Sequence, residues 1–101
     1  MNVANLQLEG LLMAIASLNH VLVRKGIVSV KELDIALRKA EASETDQERA
    51  EGMSTSNRDA INFPIRLLQV ANQRDPDDDL PSFSTLTRMV GQVKEPFNDE
   101  M

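Results

Sequence analysis

Apolar residues recur along the N-terminal quarter of the chain with the spacing of a helix face. Leu8, Leu11, Ile15, Leu18 and Leu22 alternate steps of three and four, the heptad-like stripe along which one helix meets another. Leu6, Leu12, Met13, Ala14, Ala16, Val21 and Val23 widen the apolar arc beyond what packing on one neighbour requires. Gly26 then supplies the left-handed residue that ends many helices, with Arg24 and Lys25 in the last turn facing the negative end of the dipole. Gly10, Ala14 and Ser17 share a face and permit a close helix crossing.

The next helix announces its start. Ser29 and Glu32 have capping-box spacing, and Val28 and Leu33 stand where a hydrophobic staple sits. Strong helix formers continue from Lys31 to Ala40. Between Glu41 and Arg58 only small residues and Met53 are available for burial. Residues 41–58 therefore read as either a solvated helical extension or a mobile linker, closing near Gly52.

Further on, Ile61, Phe63, Ile65, Leu67, Leu68, Val70 and Ala71 lie opposite a polar stripe of Asn62, Arg66, Gln69 and Gln73. This spacing predicts a third helix from about Pro64 to Gln73. Pro64 either sits in the first turn or kinks a helix begun near Asn57. Residues 57–63, with Ile61 and Phe63, are read as a capped lead-in turn, because proline suits the first turn of a helix better than its interior. The acidic loop Asp75-Pro76-Asp77-Asp78-Asp79 follows. Phe83, Leu86, Val90, Val93 and Phe97 then predict a short amphipathic helix over 82–94, stopped by Pro96 and followed by a frayed tail. The expected fold is all-α and a single domain over 1–101. It is a four-helix arrangement, a long N-terminal helical hairpin plus two short helices, completed by dimerisation.

Composition narrows the picture. With three Phe and no Tyr or Trp, the core must be aliphatic, which favours helices. With no Cys, disulfides and thiolate metal sites are excluded, in keeping with a reducing cytoplasm. The first five residues carry no positive charge, so no secretion signal is expected. The longest unbroken apolar run, Leu11 to Ala16, falls short of the roughly 20 residues that a membrane span needs. A cytoplasmic protein without membrane contact is expected. The net charge is −5 and no segment has a strong basic excess, which makes nucleic acid a poor partner.

Candidate chemistry is sparse. His20 is the sole histidine, so two-histidine metal sites are excluded; a relay with Ser17 lacks the strand-to-helix elbow that presents a nucleophile. Asp75, Asp77 and Asp79 imitate the first ligands of a calcium loop and are weak metal candidates. Leu80 and Leu86 stand where that loop needs glycine and a bidentate glutamate. Glu41, Glu44, Asp46, Glu48 and Glu51 form an acidic run, read as a solvated face or a dock for a basic partner. The four glycines are isolated, so no phosphate loop exists. No catalytic residue and no cofactor is expected.

Residues 22–33 resemble the helix–turn–helix corner of many unrelated families, including DNA-binding domains and helical arms of multisubunit enzymes, through Lys25-Gly26-Ile27 and the capped Glu32-Leu33. The resemblance rests on capping and implies no single family. Surplus apolar surface on the first helix carries the functional expectation. It points to a non-enzymatic interaction, assembly or accessory-regulatory protein, a homo-oligomer or bound to a protein partner. The interface would be Leu8, Leu11, Leu12, Ile15, Leu18 and Leu22. The alternatives are a small helix–turn–helix transcriptional regulator and a helical-bundle ligand-binding protein.

Overall fold

The computed structural model describes residues 3–52, 54–75 and 77–99, with the side chains of Glu48 and of residues 93–99 outside the described part. Four helices follow one another: α1 (Val3–Arg24), α2 (Val30–Ala50), α3 (Thr55–Asn72) and α4 (Phe83–Asp99). The described residues contain no strand. The all-α, four-helix expectation holds.

The corner between α1 and α2 is built as its residues dictate. Gly26 takes φ 75°, a region costly for any residue with a Cβ. Its N–H donates to the Val23 carbonyl at 3.0 Å, and the Ile27 N–H to the Leu22 carbonyl at 3.0 Å. These two bonds are the Schellman pair that satisfies the last carbonyls of a helix. On the far side, Ser29 Oγ accepts from the Glu32 N–H and the Ser29 N–H donates to Glu32 Oε1, each at 3.0 Å. Both halves of the capping box are made. Ser29→Ala is expected to cost about 1 kcal/mol, read as a shift of the urea midpoint at unchanged slope. A neutral substitution would show that tertiary contacts alone hold the start of α2.

The helical hairpin opens differently from the expectation. α1, α2 and α4 each pack on α3, most extensively α2, and α3 is the hub of the fold. The buried core is Leu12 and Ala16 from α1, Leu67, Leu68 and Ala71 from α3, and Leu86 and Val90 from α4. Leu37 of α2 reaches this cluster only partly buried. α2 is held by polar contacts as well. Arg66 Nε sits 2.9 Å from Glu41 Oε2 and its Nη1 3.7 Å from Asp59 Oδ1, joining the middles of α2 and α3. Residues 41–50, open in sequence between extension and linker, form the second half of α2. Met53 lies outside the described residues.

The last two helices are longer than the sequence predicts. α3 begins at Thr55, capped by Ser54 Oγ accepting from the Asn57 N–H at 3.2 Å, and runs unbroken through Pro64. Proline lacks the N–H that would bond the Ala60 carbonyl, and its ring crowds that carbonyl. Burial of Leu67, Leu68 and Ala71 against the other helices outweighs this local cost, and Asn62, expected on the solvated polar stripe, is instead buried. Pro64→Ala is therefore expected to stabilise the fold by about 1–3 kcal/mol in urea unfolding. A loss of stability would mean that α3 breaks at this residue. α4 likewise continues past Pro96 to Asp99. Of its predicted stripe, Leu86 and Val90 are core and Phe83 packs against them. The side chains of Val93 and Phe97, and residues 100 and 101 of the tail, lie outside the described part.

Candidate interaction surface on the first helix

α1 offers two apolar lines and the fold uses one. Leu12, Ala16, Asn19 and Val23 face α3, and of these Leu12 and Ala16 are 2% exposed. Each of them follows by one position a member of the heptad-like stripe Leu11, Ile15, Leu18 and Leu22. One residue is a rotation of about 100°, so the stripe stands a quarter-turn away from the core. Leu11 is 58% and Leu18 64% exposed, and Leu8 is exposed beside them. Ile15 and Leu22 are half-buried, and Ile15 also packs against the core. Of the six residues expected at an interface, Leu12 is thus spent inside the domain. The other five mark a strip that is open at Leu8, Leu11 and Leu18.

This strip is uncharged. Between Val3 and Val23 the only ionisable residues are Glu9 and His20, and both lie on the core side of the helix axis, away from Leu11 and Leu18. Val3 and Leu6 are further exposed apolar side chains near its start, and Ile27 caps its far end at the corner. The whole chain exposes 6932 Å², against about 5,700 Å² for a compact monomer of its mass, 11.2 kDa. Its radius of gyration, 14.4 Å, likewise exceeds the roughly 12.7 Å of a compact 101-residue domain.

By length and composition α1 is also apolar enough to cross a membrane. The longest-run criterion overlooks this, because Asn5, Gln7, Glu9 and Gly10 break the run while the helix average stays apolar. Most of the segment is exposed, and Leu12 and Ala16 are engaged by α3 and α4.

A polar notch lies on the core side of the same helix. Asn19 Nδ2 donates to Asn72 Oδ1 at 3.3 Å, and His20, Val23, Ala71 and Arg74 complete the lining. Its volume is about 10 Å³, room for one water and not for an organic ligand. Asn72 Nδ2 and Arg74 Nε are buried donors without a protein acceptor, which suits a water there. Ser17 Oγ donates instead to the Met13 carbonyl at 2.7 Å, so no Ser17–His20 relay forms.

The acidic segments are used locally. The Asp77 N–H donates to Asp75 Oδ1 at 2.9 Å and the Asp78 N–H to the Asp75 carbonyl at 3.0 Å, closing a turn. Arg74 Nη2 lies 3.9 Å from Asp78 Oδ2. Among the described residues no three acidic or histidine side chains gather as a cation site, Asp75, Asp77 and Asp79 included. In the acidic run, Glu41 is taken by Arg66, Glu51 accepts from Gln47 Nε2 at 2.8 Å, and Glu44 and Asp46 face solvent. At the corner, Arg38 is bound to Asp34 at 2.7 Å, a hydrogen bond that raises the guanidinium pKa. Against known protein families, characterised proteins and solved structures, the chain finds no match.

Proposed function

We propose that this protein is a cytoplasmic, non-enzymatic interaction or assembly module, acting by burying the open strip of α1 against another helix. The occupant belongs to a homo-oligomer or to a protein partner. One observation carries the reading: Leu11 and Leu18 stand mostly in solvent on a helix-pairing repeat while the core is satisfied by the adjacent line. Burying a leucine is worth about 1.5–3 kcal/mol, and an uncharged strip with several of them favours a covered state. A small domain with a thin core gains needed stability in the same step. The notch is too small for a substrate, and Ser17 and His20 are not coupled, which supports a role without catalysis.

The basic residues around the corner favour a second reading, a DNA-binding helix–turn–helix. Arg24, Lys25, Lys31 and Lys39 are exposed there. Against it stand the net charge of −5 and the diversion of Arg38 to Asp34. Retention on DNA that falls steeply with salt would favour this second reading over the first.

The test of the proposal is the mass of the full-length protein by light scattering over a range of concentrations, with gentle capture from its native host. A mass above 11.2 kDa, or a stoichiometric companion protein, is the expected result. A monomer at every concentration that retains no companion would remove the reading.

A further inference from the structure

We infer that the occupant of the α1 strip is a second copy of α1 running antiparallel, with a two-fold axis passing between Ile15 and Leu18. The inference rests on the interaction reading above and adds its partner and register. The steps Leu11–Ile15–Leu18–Leu22 are four, three and four, the same in both directions. A strip of this kind is self-complementary, as a two-fold contact requires. Setting Ile15 of one copy against Leu18 of the other also sets Leu11 against Leu22, giving four apolar layers of the kind that antiparallel helices interdigitate. Leu8 then meets Lys25 of the second copy, whose aliphatic stem can lie along it while the ammonium stays in water.

Three observations favour a second copy in this orientation. The flank of the strip away from the core is Gln7, Ala14 and Val21, which carries no charge and little bulk. A different protein selected for specificity is usually matched by charges beside the seam, and here there are none to match. Second, α1 has its acidic residue, Glu9, near the start and Arg24 and Lys25 at the end. Glu9 lies on the far side of the helix from the strip, so the basic end sets the orientation. Antiparallel pairing keeps Arg24 and Lys25 of the two copies apart and opposes the helix dipoles, whereas parallel pairing stacks these cations together. Third, Leu8, Leu11 and Leu18 are exposed in the single chain, so a second helix laid along the strip removes apolar surface that the core does not use. A lipid surface is a poorer fit. α1 has no aromatic residue and no Lys or Arg before Arg24, and the chain as a whole is acidic.

The chain has no cysteine, so disulfide trapping is free of background. Leu11→Cys and Leu22→Cys proteins are made separately, checked for helix content by circular dichroism, mixed, and oxidised mildly. The expected product is the mixed 11–22 disulfide, in at least about tenfold excess over either self-linked species, because like positions lie about 16 Å apart along an antiparallel pair. Ala14→Cys mixed with Val21→Cys, on the flank of the strip, repeats the test if the leucine variants lose helix content. Self-linked species in excess would overturn the register in favour of a parallel pair. A monomeric mass with no cross-link would overturn the second copy altogether. In that case maleimide labelling of the Leu11→Cys thiol separates the remaining occupants. Protection by a companion protein would keep the interaction reading, and protection only by phosphatidylcholine–phosphatidylglycerol vesicles would remove it as well.

Discussion

The double substitution Leu11→Glu/Leu18→Glu is expected to leave the helical fold intact while weakening self-association at least about a thousandfold. Both side chains are already more than half exposed in the single chain, so placing glutamate there asks nothing of the core. In the pair, four leucines are lost. With about 1–2 kcal/mol remaining to be gained from each, the sum is about 4–8 kcal/mol, and 1.4 kcal/mol is tenfold in affinity. Sedimentation and circular dichroism read the two effects separately. Ile15 is unsuitable for this experiment because it also packs against the core. A charge at Ile15 would confuse unfolding with dissociation. An unchanged mass for the Leu11/Leu18 variant would show that the strip is not the contact.

The distinction between Ile15 and its neighbours marks what sequence can and cannot reveal. Features that depend on a few adjacent residues are legible: Gly26 as a stop, Ser29 with Glu32 as a start, the stripe in α4 through Leu86 and Val90. The stripe in α1 is legible as a pairing surface, but its assignment is not. Two heptad-like lines lie one residue apart on that helix, and hydrophobicity alone does not choose between them. The choice is made by α3, which supplies Leu67, Leu68 and Ala71 and takes the line of Leu12 and Ala16. Asn19 sits on that line with Asn72 as its partner, a polar match between residues 53 positions apart that no local pattern contains.

The start of α3 is misread from sequence for a related reason. Pro64 is a strong local signal, and Ser54 a weak one in a run of Ser and Thr. The structure reverses their weights because the helix is buried over its C-terminal half, and packing energy there is larger than the loss of one backbone bond. The bond from Arg66 to Glu41 is likewise invisible in sequence. It is what fastens the acidic half of α2, which has few apolar side chains of its own to bury. The segment stays open between a helical extension and a linker until its partner, 25 residues on, is known.

Leu67→Ala is expected to be the most damaging single substitution to the fold. Leu67 is fully buried in the C-terminal half of the helix on which the other three pack. Removing its side chain from a site so enclosed costs about 3–5 kcal/mol. A domain of this size holds about 5–15 kcal/mol in all, and one with a thin core belongs near the lower end. At roughly 4–8 °C per kcal/mol, the melting temperature should fall by about 15–30 °C, or cooperative melting should vanish. The dependence on concentration separates this from the strip. If two copies pair through α1, the wild-type melting temperature rises with protein concentration. Leu67→Ala lowers the whole curve but, where the chain still folds, keeps that slope, because the strip is untouched. Leu11→Glu/Leu18→Glu removes the slope and leaves the melting temperature at the wild type's dilute limit. A concentration-independent wild type would place all the stability within the single chain and deny the pair any part in it.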